Sequence, residues 1–459
     1  MEKQRKTIIE PFRIKVVEPL PRTSRADREK HLEAAGNNLF LVKARHVTFD
    51  FLTDSGTTAM SAAQWGAMMV ADEVYAGSTS FERFENKIKQ IMGYQFVLPT
   101  HQGRAAEKLL FTSILKKGDL VPSNNHFDTT RANIEYQGAE AVDLVIDEGK
   151  DPQLIHPFKG NIDLNKLEKF CQEYRGRIPC GMLTITNNTG GGQPVSLENI
   201  RGASEIFKKH KIPFILDVCR FAENSYFIKE REKGMANTSV REIAKMTFEL
   251  ADGCMMSAKK DGMVNIGGFI ALKNSDWLDK LRSLLILTEG FPTYGGLAAR
   301  DLEALAVGLD EALDEDYLAY RVAVSRYMAA GLNEVGIPTL QPAGGHAVYI
   351  DAKALLPHIP QDQFPGQSLV CELYLSEGIR ACEIGSVMFG KNDHGRFVPS
   401  QMELVRMAFP RRVYTQSHFD YILEGMADLV KRKHTLKGYK FSYEPPFLKH
   451  FTARFSPVI

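Results

Sequence analysis

Of the 459 residues only six are cysteine, and no two of them stand as a C-x-x-C pair. Cys171, Cys180, Cys219, Cys254, Cys371 and Cys382 are scattered, which argues against a disulfide framework or a zinc site and favours a reducing compartment. An excess of one charge is also missing: 57 Lys and Arg against 56 Asp and Glu leave a formal net charge of +1. That balance offers no electrostatic footprint for nucleic acid or an anionic membrane. No apolar run approaches the length of a bilayer span. The charged start Met1-Glu2-Lys3-Gln4-Arg5-Lys6 is followed by no long apolar core, so no signal peptide is expected and the cytoplasm is the default location. Internal repeats and low-complexity tracts are absent as well. What remains is an ordinary globular composition, 44% hydrophobic and 25% charged, long enough for two domains.

Apolar strand-like runs alternate with helical periodicity along the chain. Residues 94–99 predict a short strand and 105–114 an apolar-periodic helix, with Thr100-His101-Gln102-Gly103-Arg104 between them. A strand, a glycine-containing turn and a helix start present backbone N–H groups and the helix dipole to an anion. The turn has no P-loop lysine and no G-x-G-x-x-G, so a single phosphate fits it better than ATP or a dinucleotide. Segments 119–121 and 141–146 continue the rhythm, and Phe127-Asp128-Thr129-Thr130-Arg131 lies in the loop between them, where an aromatic ring could stack on a planar cofactor. Buried strands are predicted over 181–188 and 213–217; the second ends in Asp217, with Arg220 just beyond. Ligands of open parallel sheets bind at the carboxyl ends of the strands, and an aspartate there suits a protonated ring nitrogen.

After the apolar run Gly253-Cys254-Met255-Met256 comes Ser257-Ala258-Lys259-Lys260-Asp261-Gly262. A paired lysine at a strand end suits an amine that carries an aldehyde cofactor as a Schiff base, because desolvation lowers its pKa and frees it as nucleophile and base. The alternative is a surface pair at a strand–loop junction, and the residues alone do not choose between Lys259 and Lys260. Phosphate turn, strand-end aspartate and lysine pair together point to pyridoxal phosphate. Elsewhere, the first twenty residues read as an extended arm of the kind that reaches to a partner subunit, or else as a loose terminus. A strand is predicted at 47–52 and helices at 25–35 and 62–73. Tyr75 falls in a Gly/Ser loop where its phenol can face a ligand. A long helical region, 302–335, leads to a smaller domain whose strand 404–408 carries Arg406 in an apolar run. A buried arginine needs an anionic partner, either a substrate carboxylate or a structural Asp or Glu.

These motifs together resemble the tryptophanase and tyrosine phenol-lyase family, β-eliminating lyases that use pyridoxal phosphate. The likeness runs from Glu10-Pro11-Phe12-Arg13 to Phe451-Thr452-Ala453-Arg454-Phe455, through 52–56, 75–78, 99–104, 191–196, 257–260, 264–269 and 410–415. It implies an α/β, aspartate-aminotransferase-like fold (fold type I). A large cofactor domain with a mostly parallel central sheet would span 56–310, a smaller α/β domain 21–55 and 311–459, and the arm 1–20. By the same resemblance Lys260 is the Schiff-base lysine and the base for the Cα proton. Gln102, Gly103, Arg104 and Ser257 cradle the phosphate, Phe127 stacks on the pyridine ring, and Asp217 partners the ring nitrogen. Asn188 and Arg220 flank the cofactor's phenolic oxygen; Thr53 and Arg406 take the substrate carboxylate. Tyr75 is similar to a proton donor that crosses a dimer interface, and Gly56, Glu73 and Asn265 match a monovalent-cation site filled by K⁺.

Three positions distinguish the family's two branches. The phenol-lyases place a threonine after the stacking Phe, an arginine in a Met-Glu-Arg-Gly stretch and a Phe before the terminal Phe-Thr-Ala. This chain has Asp128, Ile384 in Cys382-Glu383-Ile384-Gly385, and His450, which resemble the tryptophanase pattern. The indole N–H is a donor only, so an acceptor such as Asp128 is useful, and Ile384 offers an apolar wall where an arginine would be stranded. The implied reaction takes L-tryptophan and water to indole, pyruvate and ammonia. Asp128, His450 and Tyr75 are the candidates for positioning or donating the proton that indole C3 must receive. Phenol release from L-tyrosine is the alternative, and a non-catalytic binding protein of the same fold a more distant one. The family also implies a homotetramer, a dimer of dimers; the charge balance and the lack of a long apolar run argue against a nucleic-acid or membrane partner.

Overall fold

The computed structural model describes residues 8–393, 396–446 and 448–458, so the charged start and the first seven residues of the expected arm lie outside the described residues. Two compact units form: Met1–Asp54, Lys150–Ile155 and Tyr320–Ile459 make the first, and Ser55–Gly149 with His156–Ala319 the second. The second boundary falls nine residues beyond the expected 310. Leu313, Tyr317 and Leu318 account for this, since they are buried in the second unit's core.

The second unit is built on a five-stranded sheet in the order Phe96–Thr100, Gly268–Leu272, Gly253–Ser257, Phe214–Asp217, Gly181–Thr184. Only Gly268–Leu272 runs against the other four. Every residue of the strands Gly181–Thr184, Phe214–Asp217, Gly253–Ser257 and Gly268–Leu272 is buried, as a sheet covered on both faces requires. Side chains alternate between the faces. Met182, Ile215, Met255 and Ile270 meet Ala106, Leu109 and Leu110 of helix Gly103–Ile114 together with Leu278, Leu281 and Leu285 of helix Leu278–Thr288. Leu183, Leu216, Cys254, Met256 and Phe269 meet the opposite layer, including Phe84, Ile88, Ala203, Phe207, Leu302 and Leu305. The four co-directional strands therefore bring Thr100, Thr184, Asp217 and Ser257 to a single edge, with Asp217 opposite Thr184 and both Thr100 and Ser257 opposite Gly268.

The first unit holds an antiparallel sheet in the order Cys382–Ile384, Leu404–Ala408, Ala347–Asp351. One face packs Val348, Ile350, Val405 and Met407 on Leu369 and Leu373 of helix Pro365–Glu377 and on Ile422 and Met426 of helix Gln416–Arg432. The other face gathers Tyr349, Cys382, Ile384 and Leu404. Of the arm, residues 8–20 have no helix or strand. The Ile8 amide donates to Gln416 Oε1 at 3.1 Å and Phe12 sets its ring edge on Tyr320.

Several elements depart from the sequence expectation for local reasons. The helical region 302–335 is two helices, Ala299–Glu311 and Glu315–Glu334. Asp314 starts the second, its Oδ1 accepting from the Tyr317 amide at 2.8 Å, which is N-cap behaviour. The strand expected over 181–188 stops at Thr184, and Asn187 then pairs with Gln193 across a loop instead of with the sheet. The strand at 47–52 shrinks to Phe49–Asp50, paired in parallel with Ile379–Arg380. The helix at 62–73 ends at Met68.

In the first unit Asp54 and Arg411 are both wholly buried. Arg411 Nη1 donates to Asp54 Oδ2 at 3.0 Å and to its carbonyl at 3.3 Å, with Arg321 Nη2 at 3.9 Å. Removing one member of such a pair strands the other charge without water. Asp54→Ala should cost about 3–5 kcal/mol, read as a lowered urea midpoint at unchanged m-value.

Candidate active site

The sheet edge is turned into an anion cradle by close packing. A Cβ at Gly103 would overlap Ser257 Cβ and stand 2.9 Å from Ser257 Cα; one at Gly268 would stand 2.6 Å from the Gln102 carbonyl carbon and 2.8 Å from Gly103 N. Glycine at both positions lets the start of helix Gly103–Ile114 sit directly on the strand ends. The turn is pinned from both sides. The Gly267 amide donates to the His101 carbonyl at 2.8 Å, and His101 meets the Glu289 carboxylate through its amide, at 3.3 Å, and its ring. The first amides of this twelve-residue helix thus point past its end with the positive pole of its dipole. Lys259 Nζ donates to Gln102 Oε1 at 3.2 Å. Burial, then the charges of Lys260 and Arg104, lower the Lys259 amine to about 8.

The neighbouring strand end supplies the acid. Asp217 is buried, and its Oδ1 accepts from the Cys219 thiol at 2.8 Å and from the Cys219 amide at 3.3 Å. Burial first, then the Asp217 charge, push that thiol up to about 12, so it stays a donor; Lys260 acts on it in the opposite direction. Cys219 acts on Lys259 as well, so both lysines lie near the Asp217–Cys219 pair, and Lys259 in addition reaches Gln102. Asp261 fixes the turn that carries them: its Oδ2 accepts from the Ala222 amide at 2.9 Å and from the Glu223 amide at 3.4 Å, in the first turn of helix Phe221–Arg231. Arg220, just before that helix, and Asn188, in the loop after Thr184, are both buried.

Phe127 and Asp128 open helix Asp128–Tyr136. Buried His126 anchors them, its Nδ1 and amide meeting Asp143 Oδ1 at 2.8 and 2.9 Å while its carbonyl accepts from Thr189 Oγ1 at 3.1 Å. The same contact ties the Asn188 loop to the Phe127 loop. Gly56 and Asn265 are joined as well: Asn265 Nδ2 donates to the Gly56 and Thr58 carbonyls, each at 3.1 Å, and the Gly56 amide donates to the Lys259 carbonyl at 2.8 Å. Glu73 accepts instead from the Ala299 and Arg300 amides at 2.9 and 3.1 Å, capping another helix. Tyr75 is 68% exposed and packs its ring on Phe291 and Tyr294. Among the described residues no cluster of three or more His, Cys, Asp or Glu side chains forms a metal site.

The first unit carries the remaining candidates. Buried Arg406 donates Nη2 to the Leu52 carbonyl at 3.0 Å, one residue before Thr53. Ile384 lies opposite Leu404 in the sheet. His450 is buried with its ring against Phe40 and Phe451. A cavity of about 10 Å³, room for one water, is lined by His450, Asn38, Gln367 and Glu383 among others. Just after Ile384, Glu383 and Glu403 converge on one turn. Glu383 accepts from the Val387 and Met388 amides at 3.1 and 3.2 Å; Glu403 accepts from the Ser386 amide at 3.1 Å and from the Ser386 hydroxyl. Burial raises both carboxyls, and the Glu403 charge raises Glu383 further. Sequence reasoning missed Cys219, Asp261, His126 and this acid pair; only Asp261 carried a signal, its place beside the lysines.

The donor set fits pyridoxal phosphate: a glycine-seated helix start with Arg104 and Lys259 for a phosphate, an aspartate for a ring nitrogen, an amine at Lys260. The architecture is that of the fold type I pyridoxal-phosphate enzymes. A serine palmitoyltransferase from S. paucimobilis superposes with TM-score 0.56 at 12% identity over 84% of this chain and 88% of that one. SepCysS, in complex with the SepCysE N-terminal domain, gives 0.57 at 13% identity over 85% and 96%. The β-eliminating lyase family matches residues 50–424, and the chain belongs to that family. It is 60% identical to a tryptophanase of Hyphomonas neptunium over 98% of this chain and 99% of that one, and 55% identical to a tryptophanase of Rhodobacter capsulatus over 99% and 100%. A tyrosine phenol-lyase of Symbiobacterium thermophilum is 49% identical over 98% of each.

Gly103→Ala tests the cradle. Overpacking against Ser257 costs about 1–3 kcal/mol, so affinity for pyridoxal phosphate should fall roughly tenfold or more in an absorbance titration.

Proposed function

We propose that the chain catalyses the β-elimination of L-tryptophan to indole, pyruvate and ammonia. What carries the reading is its 60% identity to a tryptophanase against 49% to a tyrosine phenol-lyase, each over nearly the whole chain. Bound in the cradle, pyridoxal phosphate supplies an electron sink for charge developing at the substrate's Cα. The chain's own residues do the rest. Gln102, Gly103, Arg104 and Ser257 hold the phosphate, and Phe127 packs on the ring. Asp217, oriented by the Cys219 thiol, keeps a proton on the ring nitrogen. Arg220 and Asn188 donate to the phenolic oxygen. Arg406 and Thr53 take the substrate carboxylate, and Lys260 removes the Cα proton. Asp128 accepts the indole N–H, Ile384 walls the indole ring, and His450 and Tyr75 position or donate the proton that C3 needs before the bond to indole breaks.

The same reading includes a homotetramer, supported by the exposed ring of Tyr75 on a single chain. It also includes K⁺ held at Gly56, Asn265 and Glu73, supported by the carbonyls that Asn265 gathers. Its cytoplasmic location rests on six free cysteines. Among the described residues no helix is long and apolar enough to cross a membrane.

Product analysis with L-tryptophan and L-tyrosine offered separately tests the substrate. Indole without appreciable phenol is expected; phenol as the main product would transfer the reading to the other branch. Lys260→Ala should lower tryptophan turnover by more than ~10²-fold, since it removes the base, and wild-type-like indole release would end the assignment. Replacing K⁺ by Na⁺ should reduce turnover in the wild-type enzyme; equal rates in both salts would remove the cation site.

A further inference from the structure

Helix Gly103–Ile114, which starts the phosphate cradle, carries one acid on its buried face. Glu107 is 7% exposed. Its Oε1 pairs with Thr130 Oγ1 at 2.8 Å and its Oε2 accepts from Asn133 Nδ2 at 3.2 Å. Both partners lie on helix Asp128–Tyr136, whose start presents Phe127 and Asp128. Asn133 Nδ2 also donates to the Thr129 carbonyl at 2.9 Å, so the contact reaches the first turn of that helix.

The partners of this carboxyl are a hydroxyl and a side-chain amide, both neutral. The charges of Asp217 and Asp128 both act on it. Strands Phe96–Thr100, Gly253–Ser257 and Gly268–Leu272, packed against the helix, contain no charged residue. Helix Leu278–Thr288 turns Leu278, Leu281 and Leu285 toward it. Arg104 and Lys108 of its own helix are exposed. Burial, then the charge of Asp217, raise Glu107 to about 7; Thr130 and Thr129 pull the other way, and Asp128 raises it again. The Thr130 hydroxyl donates to a carboxylate or accepts from the acid, so the link between the helices survives protonation.

We propose that Glu107 is a positioning residue that keys the phosphate-binding helix to the helix presenting Phe127 and Asp128, one carboxyl oxygen engaging Thr130 and the other Asn133. Its buried seat between neutral partners favours the protonated acid in the folded protein. The proposal rests on the reading above for the roles of Phe127 and Asp128, but not for its first test.

A carboxyl raised in the folded protein binds more protons there than in the unfolded chain, so its contribution to stability declines as pH rises from the ordinary carboxylate value to about 7 and then levels off. Glu107→Gln has nearly the same shape and no charge. The melting temperature of the E107Q holoenzyme minus that of wild type should therefore rise by about 2 °C or more between pH 5 and pH 8. A difference independent of pH would overturn the neutral acid. Glu107→Ala, in cofactor-loaded enzyme, should lower kcat for tryptophan about tenfold or more below the E107Q value, because the key is lost as well as the charge. Equal kcat in the two variants would overturn the keying. If wild type itself releases no indole, the proposed reaction fails, while the melting series still decides the state of Glu107.

Discussion

The cofactor site depends on how closely a helix can approach a sheet. Helix Gly103–Ile114 begins against the ends of two strands because Gly103 and Gly268 have no side chains to hold it off. That contact sets the direction of the helix dipole, fixes where Gln102 offers its amide oxygen to Lys259, and decides which end of the sheet becomes the ligand edge. The strand directions complete it. Four strands running one way deliver Thr100, Thr184, Asp217 and Ser257 to the same edge, so an acid, three hydroxyls and the turn bearing two amines arrive together.

Within that edge the charges are sorted. Lys259 and Arg104 gather at the helix start, where a phosphate would find both, and Asp217 stands one strand over. Cys219 links the halves by donating to Asp217 while lying within the field of Lys260. Behind the edge, Glu107 and the His126–Asp143 pair brace the Phe127 loop from two directions.

Much of this was legible in the amino-acid order, because it follows from local rules. The turn at 100–104, the apolar strands before Asp217 and Ser257, and helix 103–114 announce themselves by periodicity and by where glycine falls. The structure departs where tertiary contacts override the local pattern: Asn187 leaves the sheet to pair with Gln193, and Asp314 interrupts an apolar helical run with a cap. Glu107 was invisible because a glutamate inside an apolar-periodic helix looks like any solvent-facing position until its neighbours are known. Asp54 was read as part of a polar turn, and nothing near it in sequence reveals that Arg411, far along the chain, is its buried partner. Lys259 and Lys260 are adjacent and chemically identical, so only their surroundings separate them.

The turn after Ile384 has a consequence for the conditions the enzyme tolerates. Glu383 and Glu403 meet at Gly385, held by backbone amides, the Ser386 hydroxyl and the Gln361 side chain, and both carboxyls are raised. Ionising both would place two negative charges side by side in a buried corner, with Lys353 easing only part of the cost to Glu403, so the folded unit retains a proton there that the unfolded chain would release. The stability this corner contributes is therefore greatest in acid, drains away as pH climbs from the ordinary carboxylate value through neutrality to about 8, and changes little beyond that. Part of the chain's pH dependence thus sits in a structural turn beside the smaller sheet, apart from the groups proposed to take part in the chemistry.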